Sequence, residues 1–255
     1  MRILLSNDDG YHAPGLAVLE KIAAELSDDV WVVAPAEEQS GTGRSLTLTR
    51  PLRVRKFADK RFAVSGTPTD AVMLALAELM DGAPDLILSG VNRGGNLAED
   101  VMYSGTVSAA MEGALAGIRS VALSQRYGAV GPGDDVSFAV AQDWGVRTIR
   151  PLLEMDWAPR TVVNVNFPAV EPDAVRGITT VRQGLRDYGR VRFETRRDPR
   201  GYDYRWMSLG GMTTPPAPDT DLSRVADGWI TVTPLHLDLT HEASLAALAR
   251  VYGEE

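Results

Sequence analysis

The chain begins with a short apolar run that stops abruptly at two acids. Ile-Leu-Leu at positions 3–5 is followed by Ser-Asn-Asp-Asp-Gly, and a helical repeat of apolar residues starts at Leu16. A run of this length is typical of a strand that is buried on both faces, as in parallel sheets covered by helices. Asp8 and Asp9 therefore lie in a strand-to-helix loop, at the sheet edge where α/β proteins bind ligands.

The same pattern recurs along the chain and predicts the fold class. The further strands that it predicts are residues 30–34, 85–89, 121–124 and 161–167. Strands that alternate with helices favour an α/β fold that is doubly wound (Rossmann-like), with a mostly parallel sheet and helices on both faces. We expect this core to occupy residues 1–172 and a C-terminal extension to occupy residues 173–255.

The extension has a different pattern. Residues 190–194 and 202–206 alternate around an Asp-Pro-Arg-Gly turn, which predicts a β-hairpin with aromatic side chains. A closing strand is predicted at 229–233 and a helix at 241–252. Because an isolated two-stranded hairpin is marginal in water, this one must pack against the core or against a second subunit.

Composition excludes several classes of protein. The 255 residues include no cysteine, which excludes disulfides, thiolate metal sites and thiol nucleophiles. A net charge of −8 argues against nucleic acid as a partner and would repel an anionic substrate unless a cation or local arginines intervene. The sequence has no recognisable signal peptide and no membrane-spanning run, so we expect a cytoplasmic protein without membrane contact.

The adjacent acids Asp8 and Asp9 indicate a metal site. Two carboxylates about 4 Å apart repel each other by on the order of 4 kcal/mol at an effective dielectric of 20. Mg²⁺ and Mn²⁺ favour oxygen ligands and would offset this repulsion, and Gly10 leaves the backbone free enough for both side chains to face one ion. An ordinary polar turn before a helix is the alternative.

Later loops carry further polar groups at the same sheet edge. The loop after the strand that ends near position 89 holds Asn92 and Asn96, whose amide oxygens suit metal coordination. Ser104, Gly105 and Thr106 precede a helix, whose N-terminus can bind an anion through free N–H groups and the helix dipole. Simple N-capping by a hydroxyl is the alternative.

Two motifs lie between these loops and the first strand. The glycine-rich loop at residues 35–45 leaves the same sheet edge and carries Ser40, so it can close over the site. The sequence Gly-Thr-Pro-Thr-Asp at 66–70 predicts the start of a helix, with Thr67 as the N-cap and Asp70 completing a capping box.

Four segments occur in an order that points to a known family. They are residues 3–10, 39–41, 66–70, and 89–92 running on to 103–106. Together they resemble the SurE family, the stationary-phase survival proteins, and the similarity covers essentially the whole chain. That family consists of metal-dependent nucleoside-monophosphate phosphatases, so the resemblance implies a phosphoric monoester hydrolase of the 5′-nucleotidase type.

The resemblance also implies roles for individual residues. One divalent cation per subunit, Mg²⁺ or Mn²⁺, would be bound by Asp8, Asp9, Ser40 and Asn92. Catalysis would involve Asp8, Asp9 and Asn92. The phosphate would be bound by Asn96, Ser104, Gly105 and Thr106. The family's hairpin and helix are exchanged arms, which implies a homodimer or homotetramer, and we expect the metal site to lie on a separate part of the core.

Several questions stay open on the sequence alone. The nucleophile is either an activated water or one of the acids, which would form an aspartyl-phosphate. A rival function is a nucleotide- or phosphate-sensing binding protein without turnover, although a sensor has little need for the whole metal set. The preferred base, the 5′ or 3′ position of the phosphate and any polyphosphate activity are also open. Gln39, Gly95 and Ala98 depart from the family's usual pattern near the pocket.

Overall fold

A computed structural model describes residues 1–128, 136–186, 191–209 and 214–253. Its strands are β1 (Arg2–Ser6), β2 (Asp29–Pro35), β3 (Val54–Ala58), β4 (Arg61–Val64), β5 (Leu86–Arg93), β6 (Arg119–Gln125), β7 (Thr161–Phe167), β8 (Ile178–Thr180), β9 (Val191–Arg197), β10 (Asp203–Leu209) and β11 (Ile230–His236). Its α-helices are α1 (Pro14–Ala24), α2 (Pro68–Leu74), α3 (Gly105–Leu115), α4 (Ala139–Glu154), α5 (Asp221–Ala226) and α6 (Glu242–Tyr252). No helix among these residues is both long and apolar enough to cross a membrane.

Nine strands form one central sheet in the order β3-β4-β2-β1-β5-β6-β7-β11-β8. Neighbouring strands are parallel except at two places, where β3 pairs with β4 and β11 pairs with β7. The predicted fold class, a mostly parallel α/β sheet, is therefore confirmed, and β1 lies near the middle of the sheet.

Alternation along β1 divides its side chains between two apolar clusters. Ile3 and Leu5 pack in a cluster with the apolar faces of α1 and α4, whereas Leu4 packs in a second cluster with α2. The helices therefore cover both faces of the sheet. All three side chains are fully buried, and burial of each contributes about 1.5–3 kcal/mol to stability. The position of β1, and of the start of the loop that follows it, is therefore fixed.

The predicted helix start at residues 66–70 is confirmed. Thr67 Oγ1 accepts a hydrogen bond from Asp70 N at 3.1 Å, and Asp70 Oδ2 accepts one from Thr67 N at 2.8 Å. Asp70 Oδ1 also accepts from Thr47 N at 3.0 Å, and Thr67 Oγ1 donates to Ser45 O at 2.8 Å, so the end of the glycine-rich loop is tied to this helix. The helix continues beyond Leu74 as a π-helical turn, Ala75–Leu79.

The central sheet extends past the domain boundary that we predict at residue 172. The closing strand β11 pairs with β7 of the core, and β8 pairs with β11. By contrast, β9 and β10 form a separate two-stranded antiparallel sheet, the hairpin. Residue 190 of the predicted hairpin lies outside the described residues. The division into a core and an extension stays a prediction.

Candidate active site

Three loops meet at the carboxyl ends of β1, β2 and β5. The second loop is tied to the first because Gln39 N donates to Asp8 O at 2.7 Å. The third begins at the end of β5, which is tied to the first loop because Arg93 N donates to Asp9 Oδ2 at 2.9 Å. Gly10 has φ +99°, and a Cβ there would lie 3.1 Å from the backbone of Glu37, so this contact between loops requires glycine.

A cavity of about 580 Å³ opens at this edge, a size typical of small-molecule sites. The predicted site residues that line it are Asp8, Ser40, Asn92, Asn96 and Ser104. Asp9, Gly105 and Thr106 are not among its lining residues. Val191 and Met207 of the hairpin also line it, so the hairpin and the site are not separate, contrary to our expectation from the sequence.

Asp8 is held in place by the start of α3. Its side chain is only 4% exposed, and the Thr106 hydroxyl donates a hydrogen bond to its Oδ1. A Cβ on Gly105 would lie 2.7 Å from the Asp8 Cβ, so only glycine allows this approach. Burial raises the pKa of Asp8, although the bond from Thr106 opposes the shift. Thr106 therefore orients Asp8 directly.

Asp9 interacts electrostatically with its neighbour. Burial, and after it repulsion by Asp8, raise the pKa of Asp9 to about 6, while the N–H of Arg93 opposes this shift. Asp8 therefore lies close enough to destabilise the charge of Asp9. A divalent cation between them would remove this cost.

The chemistry of the other donors fits a hard cation. Asn92 Nδ2 donates to Gly94 O at 2.9 Å, and its Oδ1 has no donor among the described residues. Ser40 Oγ donates to Glu38 Oε1 at 2.9 Å and keeps lone pairs for a ligand. No cluster of three or more His, Cys, Asp or Glu side chains suited to a metal occurs in the described part of the chain. A metal at this edge therefore needs amide and hydroxyl oxygens beside the two carboxylates, and the residues present supply them.

Comparison with known proteins identifies the family of the chain. The family model described as "Survival protein SurE" matches residues 3–190. The chain belongs to the SurE family. Among the relatives that carry the name 5′-nucleotidase SurE are proteins from two bacteria. The one from Rhizorhabdus wittichii is 65% identical over 253 residues, which cover 99% of this chain and all of the relative. The one from Hyphomonas neptunium is 54% identical over 248 residues, which cover 97% of this chain and 98% of the relative.

A solved structure shows the same fold. The crystal structure of the SurE protein from Aquifex aeolicus superposes with a TM-score of 0.84 at 38% identity, and the match covers 99% of this chain and all of that one. The resemblance found in the sequence is thereby confirmed over its full length.

Within this SurE chain, Asn96 is fixed by residues that sequence reasoning missed. Its backbone O accepts from Asn164 Nδ2 at 2.8 Å and from Asn166 Nδ2 at 3.0 Å, and its N donates to Asn166 Oδ1 at 2.9 Å. Its side-chain amide donates to Ser124 Oγ at 2.8 Å. The signal in the sequence was two asparagines in the otherwise apolar strand β7, because buried amides require partners.

Ser104 is the N-cap of α3. Its Oγ accepts from Val107 N at 3.0 Å, so the capping alternative applies to this residue. Ser104 also lines the cavity, and the two roles are compatible. Thr106 is not the cap, since its hydroxyl is engaged with Asp8.

Proposed function

We propose that the chain is a metal-dependent 5′-nucleotidase, a phosphoric monoester hydrolase that converts nucleoside 5′-monophosphates to nucleoside and phosphate. The observation that carries this proposal is the buried Asp8, which lines a nucleotide-sized cavity, with the partly buried Asp9 beside it. Its relatives in the SurE family are named for the same activity, at up to 65% identity over nearly the whole chain.

The proposed cofactor is one divalent cation per chain, Mg²⁺ or Mn²⁺, held by Asp8, Asp9, Ser40 and Asn92. When bound, such a cation polarises the phosphoryl oxygens and stabilises the charge that develops on them. It also offsets the field of a chain whose net charge is −8, which would otherwise repel a phosphate.

The chain's own groups orient the substrate. Ser104 and the backbone N–H groups at the start of α3 provide donors and the positive end of the helix dipole for the phosphate. The Asn96 amide, held by Ser124, lines the same cavity. Thr106 acts on the acid, because its hydroxyl fixes one oxygen of Asp8. Asp8 and Asp9 then either orient an attacking water, or one of them attacks the phosphorus and releases the nucleoside, and water later hydrolyses the aspartyl-phosphate to free phosphate and the carboxylate.

The proposal includes assembly into a homodimer or homotetramer through the hairpin and α6. The hairpin exposes Phe193 and Trp206, and no residue of α6 is buried. Aromatic groups of this size contribute most when they are desolvated in an interface. A cytoplasmic location and the absence of a nucleic-acid partner stay predictions.

Phosphate release from nucleoside monophosphates tests the activity. Nucleoside 5′- and 3′-monophosphates and polyphosphate are each incubated with Mg²⁺, with Mn²⁺ and with excess chelator. We expect release from the 5′-monophosphates with metal and none with chelator. The rival, a sensing protein, predicts that a nucleotide binds in a calorimetric titration without phosphate release. Release that is unaffected by chelator would contradict the metal-dependent mechanism.

A further inference from the structure

A short 3₁₀ turn, Ala98–Met102, forms one wall of the cavity. Glu99 and Asp100 of this turn line the cavity, together with the half-exposed Tyr103 that follows. The proposed phosphate and metal contacts come from other lining residues. In a nucleoside monophosphate, the nucleoside must therefore face the remaining lining, to which this turn contributes two residues and Tyr103 after it a third.

Two side chains from the last third of the chain hold the beginning of this turn. Ala98 N donates to Asp221 Oδ2 at 2.7 Å, and Ala98 O accepts from Gln183 Nε2 at 2.8 Å. Ala98 has φ +52°, a left-handed conformation that is unfavourable for a residue with a Cβ. Such a conformation persists only where the surroundings impose it, and here both backbone groups of the residue are bonded from outside.

Arg186 holds the middle of the turn. Its Nη2 lies 2.7 Å from Asp100 Oδ2, and its Nη1 lies 3.4 Å from Glu99 Oε1. The same Nη1 donates to Leu97 O at 3.0 Å, and Arg186 N donates to Glu99 Oε2 at 3.1 Å. The Arg186 side chain is only 11% exposed, so these bonds are shielded from water and fix the geometry of both carboxylates.

We infer that Gln183, Arg186 and Asp221, hereafter the clamp, are positioning residues for the nucleoside part of the substrate. They fix the wall from which Glu99 and Asp100 offer carboxylate oxygens to ribose hydroxyls and Tyr103 offers a ring to the base. This inference rests on the proposed function. It predicts that loosening the clamp impairs the hydrolysis of nucleotides more than that of small phosphate esters, which have no nucleoside.

Substitution of Arg186 tests the clamp, with a matched control. Arg186→Met removes the guanidinium's bonds to Leu97 O, Glu99 and Asp100 and leaves only the backbone bond to Glu99. Arg182→Met removes an exposed arginine that has no side-chain partner among the described residues. KM and kcat are measured with metal for a nucleoside 5′-monophosphate and for p-nitrophenyl phosphate. For Arg186→Met we expect kcat/KM to fall roughly 100-fold for the nucleotide, mainly through KM, and to change less than about twofold for the small ester. Arg182→Met should leave both substrates unchanged.

Two other variants separate positioning from general stability. Arg186→Lys keeps the charge but lacks the planar fork that reaches both carboxylates, so we expect partial recovery of the nucleotide KM. Gln183→Met removes only the bond to Ala98 O and takes the place of Arg186→Met if that variant does not fold. For Gln183→Met, we again expect a selective rise in the nucleotide KM.

The outcomes distinguish the two proposals. Equal losses for both substrates, or an unchanged nucleotide KM in a folded clamp variant, would overturn the assignment of the clamp to the nucleoside. Failure of the wild-type protein to hydrolyse either substrate with metal would contradict the proposed function itself.

Discussion

β1 and the hairpin of β9 and β10 differ in where their apolar side chains lie. Ile3, Leu4 and Leu5 of β1 are fully buried between helices of the same chain, whereas Phe193 and Trp206 of the hairpin are 63% and 60% exposed. The apolar side chains of β1 are thus covered within one chain, and their burial fixes the loop that carries the two acids. The hairpin lacks such a cover, which is why we propose that a second copy supplies it.

Charged groups in the two regions also differ in how far they are buried. At the end of β1, burial raises the pKa of both Asp8 and Asp9. In the hairpin, Arg197 pairs with Asp203 at 3.0 Å on the surface, and such exposed pairs contribute about 0–1 kcal/mol each. Electrostatic cost is therefore concentrated at the proposed site, where a ligand can offset it, while the hairpin is held by backbone pairing.

The largest expected effect comes from Asp9→Asn. If Asp8 and Asp9 hold the cation, this change should lower kcat for phosphate release by roughly 1,000-fold, because one charged ligand is lost. Circular dichroism should show an unchanged fold. Asp59→Asn, in the exposed turn between β3 and β4, is the control and should keep full activity. Normal turnover by metal-loaded Asp9→Asn would refute the assignment.

Thr106 tests whether the start of α3 acts on Asp8. Thr106→Ala removes the hydroxyl that donates to Asp8 Oδ1, and loss of such a supporting bond lowers activity about 10- to 100-fold. Thr106→Ser keeps the hydroxyl and should retain most of the activity. Steady-state kinetics and melting temperatures are compared. A lowered melting temperature with unchanged kcat in Thr106→Ala would mean that the residue serves only the fold.

The hairpin is tested by making one exposed aromatic side chain on each of its two faces polar. Phe193→Ser combined with Trp206→Ser should lower the oligomeric mass measured by light scattering, because the aromatic contact between subunits is lost. Leu48→Ser removes an even more exposed apolar side chain from a loop and should leave the mass unchanged.

The same double variant should still bind Mg²⁺, since the proposed metal ligands lie in the core. Because Val191 and Met207 line the cavity, deletion of the whole hairpin should also raise the nucleotide KM. An unchanged mass after the double substitution would show that the hairpin does not join subunits.

The smallest effect concerns the stability of the metal-free protein. Asp9 titrates near 3.8 when unfolded, and its folded pKa is raised to about 6. The folded state therefore binds this proton more tightly, so stability should fall as the pH rises from about 4 to about 6. The Asp9→Asn variant has no carboxylate at this position, so it should not lose stability through its ionisation. Above pH 6 it should be more stable than the wild type by on the order of 2 kcal/mol. Urea unfolding of the wild type and of Asp9→Asn, with chelator at about pH 4 and at about pH 6, measures the difference. An equal dependence of the unfolding free energy on pH in the two proteins would contradict this prediction.

The sequence predicted those features that depend on neighbouring residues. The apolar run of β1, the acids that follow it and the capping box at Thr67 are all local patterns, and the structure contains the strand, the loop and the cap. It brings Asp8, Ser40, Asn92, Asn96 and Ser104 to one cavity, as expected for loops at one edge of a parallel sheet.

Features that depend on distant residues could not be predicted in this way. Asn96 is bonded to Asn166, 70 residues away, and Ala98 to Asp221, 123 residues away. The hydroxyl of Thr106 could equally have capped α3, and only the tertiary structure shows that it donates to Asp8. The pairing of β11 with β7 likewise depends on the whole fold, and the sheet continues past residue 172, where the change in sequence pattern predicts a boundary.

The most direct test of the account is the binding of Mn²⁺ to a single chain's acid pair. Metal-stripped wild-type protein and Asp9→Asn are titrated with Mn²⁺ in a calorimeter under identical conditions. We predict one site per chain in the wild type and binding at least roughly tenfold weaker in the variant, because the number of charged ligands sets the affinity. Equal affinity in the two proteins would contradict the claim that Asp8 and Asp9 together form the metal site.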